Sequence, residues 1–265
     1  MSEDRVIVER DGAVAHVKLN RADKRNGLDL AMFEAIIAAG EALADDNAVR
    51  AVVLSGEGKA FCAGLDFKSM MASPDMAKRL LHRPEGKPAN LAQQVAWVWR
   101  EVPVPVIAAV HGQAFGGGLQ IALGADLRYV RPDAQLSVME IRWGLIPDMG
   151  ISKTLPPLVG VDVARELAWT GRVVSGEEAV ALGLCTRASE DPLADALETA
   201  RTIASKNPHA IRGSKRMFDE APRLDAAAAL KLETEIQIPI LGSANQMEAV
   251  AANFAKRAPE FVDPE

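Results

Sequence analysis

The chain has 265 residues, 49% hydrophobic and 25% charged, enough for one substantial core or for one large domain with an appendage. Its 30 Lys and Arg stand against 36 Asp and Glu, a formal charge of −6 with no basic stripe, which argues against a general nucleic-acid binder. The longest strongly apolar stretch, near Val104–Val110, is short and interrupted by proline, so no membrane partner is expected. MSEDRVIVER lacks the apolar region of a secretory signal, and two cysteines, Cys62 and Cys185, make no disulfide framework; the expected home is cytoplasmic. Four scattered histidines without an HExxH or CxxC pattern give no sign of a metal site.

Val6–Glu9 and Ala13–Asn20 read as two strands around the Asp11-Gly12 turn, a hairpin signal. Leu30 to about Leu43 has helical periodicity, and Ala51–Leu54 reads as a buried strand ending at Ser-Gly. From Asp66 to Pro88 the chain mixes Met, Pro, Lys and Gly with no sustained period, as expected of a mobile, partly helical lid or pocket wall. A helix over about Asn90–Arg100 follows, then an apolar strand Val106–Val110, a glycine-rich turn, a buried helix to about Leu123 and a strand Leu127–Val130. Two further helices are predicted near Val161–Thr170 and Ser175–Leu182. From Asp191 onward the sequence is almost wholly helical, with alanine-rich runs such as DAAAAL. The order predicts an α/β core over residues 1–190 and a helical C-terminal region over 191–265.

Two glycine-containing turns carry the chemistry. SGEGKAFCAGLDF (55–67) follows the strand at 51–54, and HGQAFGGGLQ (111–120) follows the strand at 106–110. A helix N-terminus offers unpaired N–H groups and the positive end of a dipole. Two such turns brought face to face supply two backbone donors to one oxyanion, worth about 3–4 kcal/mol per donor by analogy with a known oxyanion hole. GEGKA lacks the spacing of a P-loop, FGGGLQ lacks that of a dinucleotide fingerprint with its later acidic partner, and no GxSxG nucleophile elbow is present. The plain alternative for the glycines is close strand–helix packing.

AFCAGLD (60–66), VHGQAFGGGLQIALGADLRY (110–129) and MEIRWGLIPDMG (139–150) resemble the enoyl-CoA hydratase/isomerase, or crotonase, superfamily, and the resemblance runs from the opening hairpin to the C-terminal helices. It implies a spiral of ββα units with a helical C-terminal region that builds a homotrimer, or a hexamer made of two trimers. It implies an acyl-CoA substrate bound through its thioester oxygen by the backbone N–H groups of Leu65 and Gly117. Lys24 and Arg25, in NRADKRNGLD, stand where relatives contact coenzyme A; Ala63 and Asp66 lie beside its adenine and pantetheine path; Lys256, in ANFAKR, reaches towards a neighbouring subunit's CoA phosphates. Neither a metal nor a separate cofactor is implied, coenzyme A being part of the substrate.

The acid–base residues decide the reaction. Family hydratases carry one glutamate two residues after the glycine triplet and a second in the segment that here reads MEIRWG. The second is present as Glu140, whereas the first is replaced by Gln120, an amide that exchanges no proton at neutral pH. Asp148 stands eight residues after Glu140, the offset at which dienoyl-CoA isomerases of the superfamily place an aspartate; those enzymes also carry an aspartate where this chain has Gln120. The resemblance therefore favours double-bond isomerisation of an enoyl- or dienoyl-CoA, with Glu140 and Asp148 moving the proton. The alternatives are hydration, with Asp148 or an ordered water replacing the missing glutamate, and acyl-CoA binding without turnover. Each residue also has a plain role: Ser137-x-x-Glu140 fits a capping box, Asp148 fits a helix N-cap, and Gln120 fits simple packing. Trp143 reads as pocket wall or core, and Cys62 as a small buried residue without a histidine partner.

Overall fold

The computed structural model describes residues 4–72 and 75–264; positions 73–74 of the expected 66–88 excursion lie outside the described residues. The chain opens with an antiparallel hairpin, β1 (Val6–Asp11) and β2 (Val14–Leu19), followed by α1 (Leu30–Ala44) and β3 (Ala51–Gly56). The excursion holds two short helices, α2 (Phe67–Met71) and α3 (Met76–Leu81), before α4 (Leu91–Glu101). Helix α4 opens on a capping box that the sequence reading had not singled out: Asn90 accepts from Gln93 N–H, and the Gln93 side chain accepts from Asn90 N–H.

After α4 come β4 (Val106–Val110), β5 (Gln113–Phe115), α5 (Gly117–Gly124), β6 (Leu127–Val130) and β7 (Gln135–Ser137). Helices α6 (Ile151–Thr154), α7 (Pro156–Val159) and α8 (Val161–Thr170) precede the two-residue strand β8 (Val174–Ser175). Then follow α9 (Gly176–Ala181), β9 (Arg187–Ala188), α10 (Pro192–Ala204), α11 (Pro208–Glu220), α12 (Ala226–Gln237) and α13 (Ala244–Ala255). Among the described residues no helix is long and apolar enough to cross a membrane.

The strands form two sheets. The larger runs β1-β2-β3-β4-β6-β9, parallel throughout except for the opening hairpin; the smaller runs β5-β7-β8. Period-two alternation divides the larger sheet between two apolar layers. Val52, Leu54, Ala108 and Val110 face the main core with Met32, Phe33, Ile36, Val95 and Trp99 of α1 and α4. Ala51, Val53, Ile107 and Ala109 face the other way, against Ala196 and Ala200 of α10. Both faces of β3 and β4 are therefore covered, which is why these strands read as unbroken apolar runs. Asp191, where the helical region was expected to begin, caps α10 by accepting from Ala194 N–H.

The smaller sheet escaped the sequence reading because its strands have two or three residues, too few to show a period. It nevertheless fixes the second glycine turn: Gln113, Ala114 and Phe115 pair in parallel with Gln135, Leu136 and Ser137. The first turn is then zipped onto the same segment. Cys62 N–H donates to the Gln113 carbonyl at 3.0 Å, and Phe115 N–H donates to the Cys62 carbonyl at 3.1 Å. Helix α5 starts against this contact so closely that a Cβ on Gly118 would lie 2.2 Å from the Cys62 carbonyl oxygen.

Gly118→Ala tests that contact. Alanine raises helix propensity, yet here its methyl meets backbone that cannot rotate away. The expected outcome is destabilisation by about 1–3 kcal/mol or more, from overpacking, measured by urea unfolding.

Candidate active site

The two zipped turns bring Leu65 and Gly117 to one cavity. On one side, the segment after Cys62 is held by a parallel bridge to the chain ahead of α1: Leu28 N–H donates to the Gly64 carbonyl at 2.8 Å, and Asp66 N–H donates to the Leu28 carbonyl at 3.0 Å. Between these two bonded groups, the Leu65 N–H takes no acceptor among the described residues. Gly117, the first residue of α5, likewise leaves its N–H without an acceptor among the described residues, since the first turn of a helix offers no intrahelical partner and Gly116 provides no side-chain cap. Gly64 has φ +84°, and a Cβ there would stand 2.5 Å from the Phe115 carbonyl oxygen and 3.6 Å from Gly117 N, so the two turns meet edge to edge at this residue.

Each glycine of the triplet answers a different constraint. Gly116 has φ +51°, and a Cβ on it would come within 3.2 Å of Glu140 Oε1. On Gly117 the Cβ would be 2.8 Å from Met149 Sδ and 2.9 Å from Leu28 Cδ1, closing the approach to its N–H. Gly118 allows the turn-to-turn contact described above.

Gln120 is buried on α5, and both ends of its amide are used. Nε2 donates to Glu140 Oε1 at 2.6 Å, while Oε1 accepts from Met149 N–H at 2.8 Å. A carboxylate at 120 could accept from Met149 but could not donate to Glu140, so the amide does what a second glutamate cannot. This is more than simple packing. Glu140 opens a short 3-10 helix, Glu140–Trp143, and its Oε2 is buried without a hydrogen-bond partner among the described residues. Burial pushes its carboxyl above the ordinary glutamate value, helped by the negative charge of Asp148 and opposed by hydrogen bonds from its own backbone and from Gln120.

The capping roles do not form. Ser137 Oγ donates to the Gly171 carbonyl at 2.9 Å instead of capping the turn at Glu140, whose N-cap is Met139 with no side-chain bond. Asp148 caps nothing: α6 begins after Gly150, in the left-handed region at φ +87°, again with no side-chain cap. Asp148 is exposed overall, but its carboxyl is crowded enough by surrounding protein that its pKa is raised, chiefly by desolvation.

Around these groups lies a cavity of about 320 Å³. Leu65, Gly117, Glu140 and Asp148 line it, together with Ala63, and Trp143 serves as wall. The 66–88 excursion contributes Phe67 and Met70 of α2 and Ala77, Leu80 and Leu81 of α3. Lys24 and Arg25 are exposed near the turn before α1; Arg25 is left-handed at φ 50°, donates to Gln113 Oε1 at 3.1 Å and accepts from Ala63 N–H through its carbonyl. Asp66 is already engaged. It caps α2 through Ser69 N–H and holds Arg21 Nη1 at 2.9 Å, contacts that lower its pKa against the desolvation that would raise it. Lys256 ends α13 in the left-handed region and is not among the cavity-lining residues.

Asn26 was not singled out by the sequence reading, yet it is fully buried and holds the first turn together. Its Nδ2 donates to the carbonyls of Glu57, Ala60 and Phe61, and its Oδ1 accepts from Arg21 N–H. Asn26 also adopts φ 55°, a conformation asparagine tolerates better than most residues. An Asn-Gly pair just ahead of an apolar helix was the available signal.

Comparisons with known proteins give one answer at the level of family. The family described as Enoyl-CoA hydratase/isomerase matches residues 9–264. A probable enoyl-CoA hydratase of Mycobacterium bovis is 32% identical over 265 residues, covering 98% of this chain and 99% of that protein. A mitochondrial Delta(3,5)-Delta(2,4)-dienoyl-CoA isomerase of Mus musculus is 34% identical over 220 residues; the match covers 76% of this chain but 64% of the mouse protein, under two thirds of its length. Among solved structures, an enoyl-CoA hydratase from Bacillus anthracis superposes with a TM-score of 0.90 at 29% identity, covering 97% of this chain and 98% of that one. One from Mycobacterium smegmatis gives 0.86 at 33% identity, with 97% and 99% covered.

The half-buried Glu140, with one carboxyl oxygen fully buried, makes a prediction about stability. Its folded carboxyl holds the proton more tightly than the unfolded one, so its contribution is full below the ordinary glutamate value and is lost as pH rises through the raised value. Glu140→Gln keeps an oxygen for Gln120 and removes the buried charge. The variant should melt at a higher temperature than wild type at pH 8, and the difference should shrink towards zero below about pH 4, as followed by thermal unfolding across pH.

Proposed function

This chain belongs to the enoyl-CoA hydratase/isomerase family, and we propose that it is an acyl-CoA enzyme whose reaction is double-bond isomerisation of an enoyl- or dienoyl-CoA. The carrying observation is that the amide of Gln120 ties up Glu140 Oε1 and leaves Oε2 without a partner among the described residues, on a residue that lines the same cavity as Leu65 and Gly117, whose backbone N–H groups are also unbonded. In this reading the thioester oxygen accepts from Leu65 and Gly117. Their combined field stabilises the enolate and acidifies the adjacent carbon. Glu140 then removes and returns a proton, and its raised pKa brings it nearer to the working pH of a carbon acid's base. Asp148, which lines the same cavity, serves the distal end of the conjugated system. Lys24, Arg25, Ala63, Asp66 and Lys256 form the proposed path for coenzyme A, with Lys256 acting on a neighbouring subunit.

Hydration is the second reading. It is favoured by the exposure of Asp148, which lets water reach the cavity beside a carboxyl, and by the near full-length match to hydratases. Assembly as a trimer or as a hexamer of two trimers belongs to the same proposal. It is supported by large apolar side chains left uncovered on the C-terminal helices, among them Phe218, Ile238 and Phe254. Sedimentation should show one of these assemblies, and a stable monomer would contradict it.

Incubation with crotonyl-CoA, a 3-enoyl-CoA and a 3,5-dienoyl-CoA in deuterated water separates the readings. The expected result is double-bond migration, reduced roughly 10²–10⁴-fold in Glu140→Gln. Asp148→Asn should abolish turnover of the dienoyl ester while sparing part of the activity on the 3-enoyl ester. Hydroxyacyl product from crotonyl-CoA that disappears in Glu140→Gln would establish hydration instead. Binding of all three esters without turnover or exchange would leave a non-catalytic acyl-CoA binder.

A further inference from the structure

The cavity has an unusual chemical uniformity. Apart from Glu140 and Asp148, every lining side chain is aliphatic, aromatic, methionine or absent, and no lysine, arginine or histidine lines it among the described residues. Helix α3 shows how completely the cations are sorted. Its inner side presents Ala77, Leu80 and Leu81 to the cavity, whereas Lys78 and Arg79, with the following His82, line a separate outer groove. Arg79 is paired there with Glu34 at 2.8 Å. Lys68 and Arg142, adjacent in sequence to two wall residues, are exposed and outside the lining.

Those two wall residues are the aromatic pair Phe67 and Trp143. Their ring centroids are 4.2 Å apart with the planes tilted by 33°, a close aromatic contact. Phe67 comes two residues after Leu65, and Trp143 three residues after Glu140, so the pair joins the wall that carries an oxyanion donor to the wall that carries the carboxylate. Trp143 lines the cavity although 57% of it is exposed, which places it at the rim.

The geometry points to an acyl group that is apolar and uncharged beyond its reacting carbons, with Phe67 and Trp143 as the specificity-determining pair that covers it. An acyl group ending in a carboxylate is disfavoured: its charge would give up part of its water, meet no cation among the described lining residues and face two carboxyl groups. The same walls already hold the pKa of the protein's own Glu140 and Asp148 above the ordinary range. This inference rests on the acyl-CoA reading above but not on which reaction follows.

Calorimetric titration with S-hexyl-CoA, S-(5-carboxypentyl)-CoA and free CoA tests it. These thioethers carry no carbonyl oxygen, so the oxyanion donors and the acid–base residues are not engaged. The carboxylated ligand should bind at least about a hundredfold more weakly than the hexyl ligand, the scale expected for an unpaired buried charge. Trp143→Ala should weaken the hexyl ligand by about tenfold, from lost apolar cover, and leave free CoA unchanged; Trp143→Phe should restore most of the loss. Equal affinity for the two chain ends, or a hexyl affinity indifferent to Trp143→Ala, overturns the inference while CoA binding stands. Failure of all three ligands to bind overturns the acyl-CoA reading itself.

Discussion

The carbonyl of Cys62 occupies the space that a side chain at position 118 would need, and the rest of the site depends on that contact. It presses the first glycine turn onto the start of α5. The neighbouring hydrogen bonds between Cys62, Gln113 and Phe115 then set the two turns in fixed register. From that register follow the juxtaposition of Leu65 with Gly117 and the entry of Gly116 beneath the Glu140 carboxyl. Asn26 secures the arrangement from the far side, bonding the first turn to the segment that leads into α1. The two N–H groups are thus held by backbone geometry on both sides, so the proposed oxyanion site would need little rearrangement to accept a developing charge.

Much of this was legible before any coordinates. Strands β3 and β4 are buried on both faces, and their apolar runs could only be interior strands. Helix α4 spans Leu91–Glu101, where a helix over about Asn90–Arg100 was expected. The glycine turns, and the family that uses them, were visible because backbone crowding forces a residue type that nothing else explains. The matching family over residues 9–264 bears out that resemblance.

What could not be read is what tertiary partners decide. Ser137 and Glu140 have the spacing of a capping box, but the serine hydroxyl finds the Gly171 carbonyl, and no local pattern reveals a distant acceptor. Strands β5 and β7 are too short for periodicity and exist only because they pair with each other. The meaning of Gln120 lay in its two partners, Glu140 and Met149, and a neutral side chain gives no hint of which dipole it must match. The desolvation that raises the pKa of Glu140 is likewise a tertiary effect, invisible in the residues on either side of it.

The orientation of the Gln120 amide has one more consequence. With its oxygen bound to Met149 N–H, its nitrogen can point only at Glu140, so the two oxygens of that carboxyl are no longer equivalent. Oε1 is held by the amide, and Oε2 is left without a hydrogen-bond partner among the described residues. Position 120 thus governs the aim of a carboxyl without carrying charge itself, and losing either of its two bonds would free Glu140 to turn.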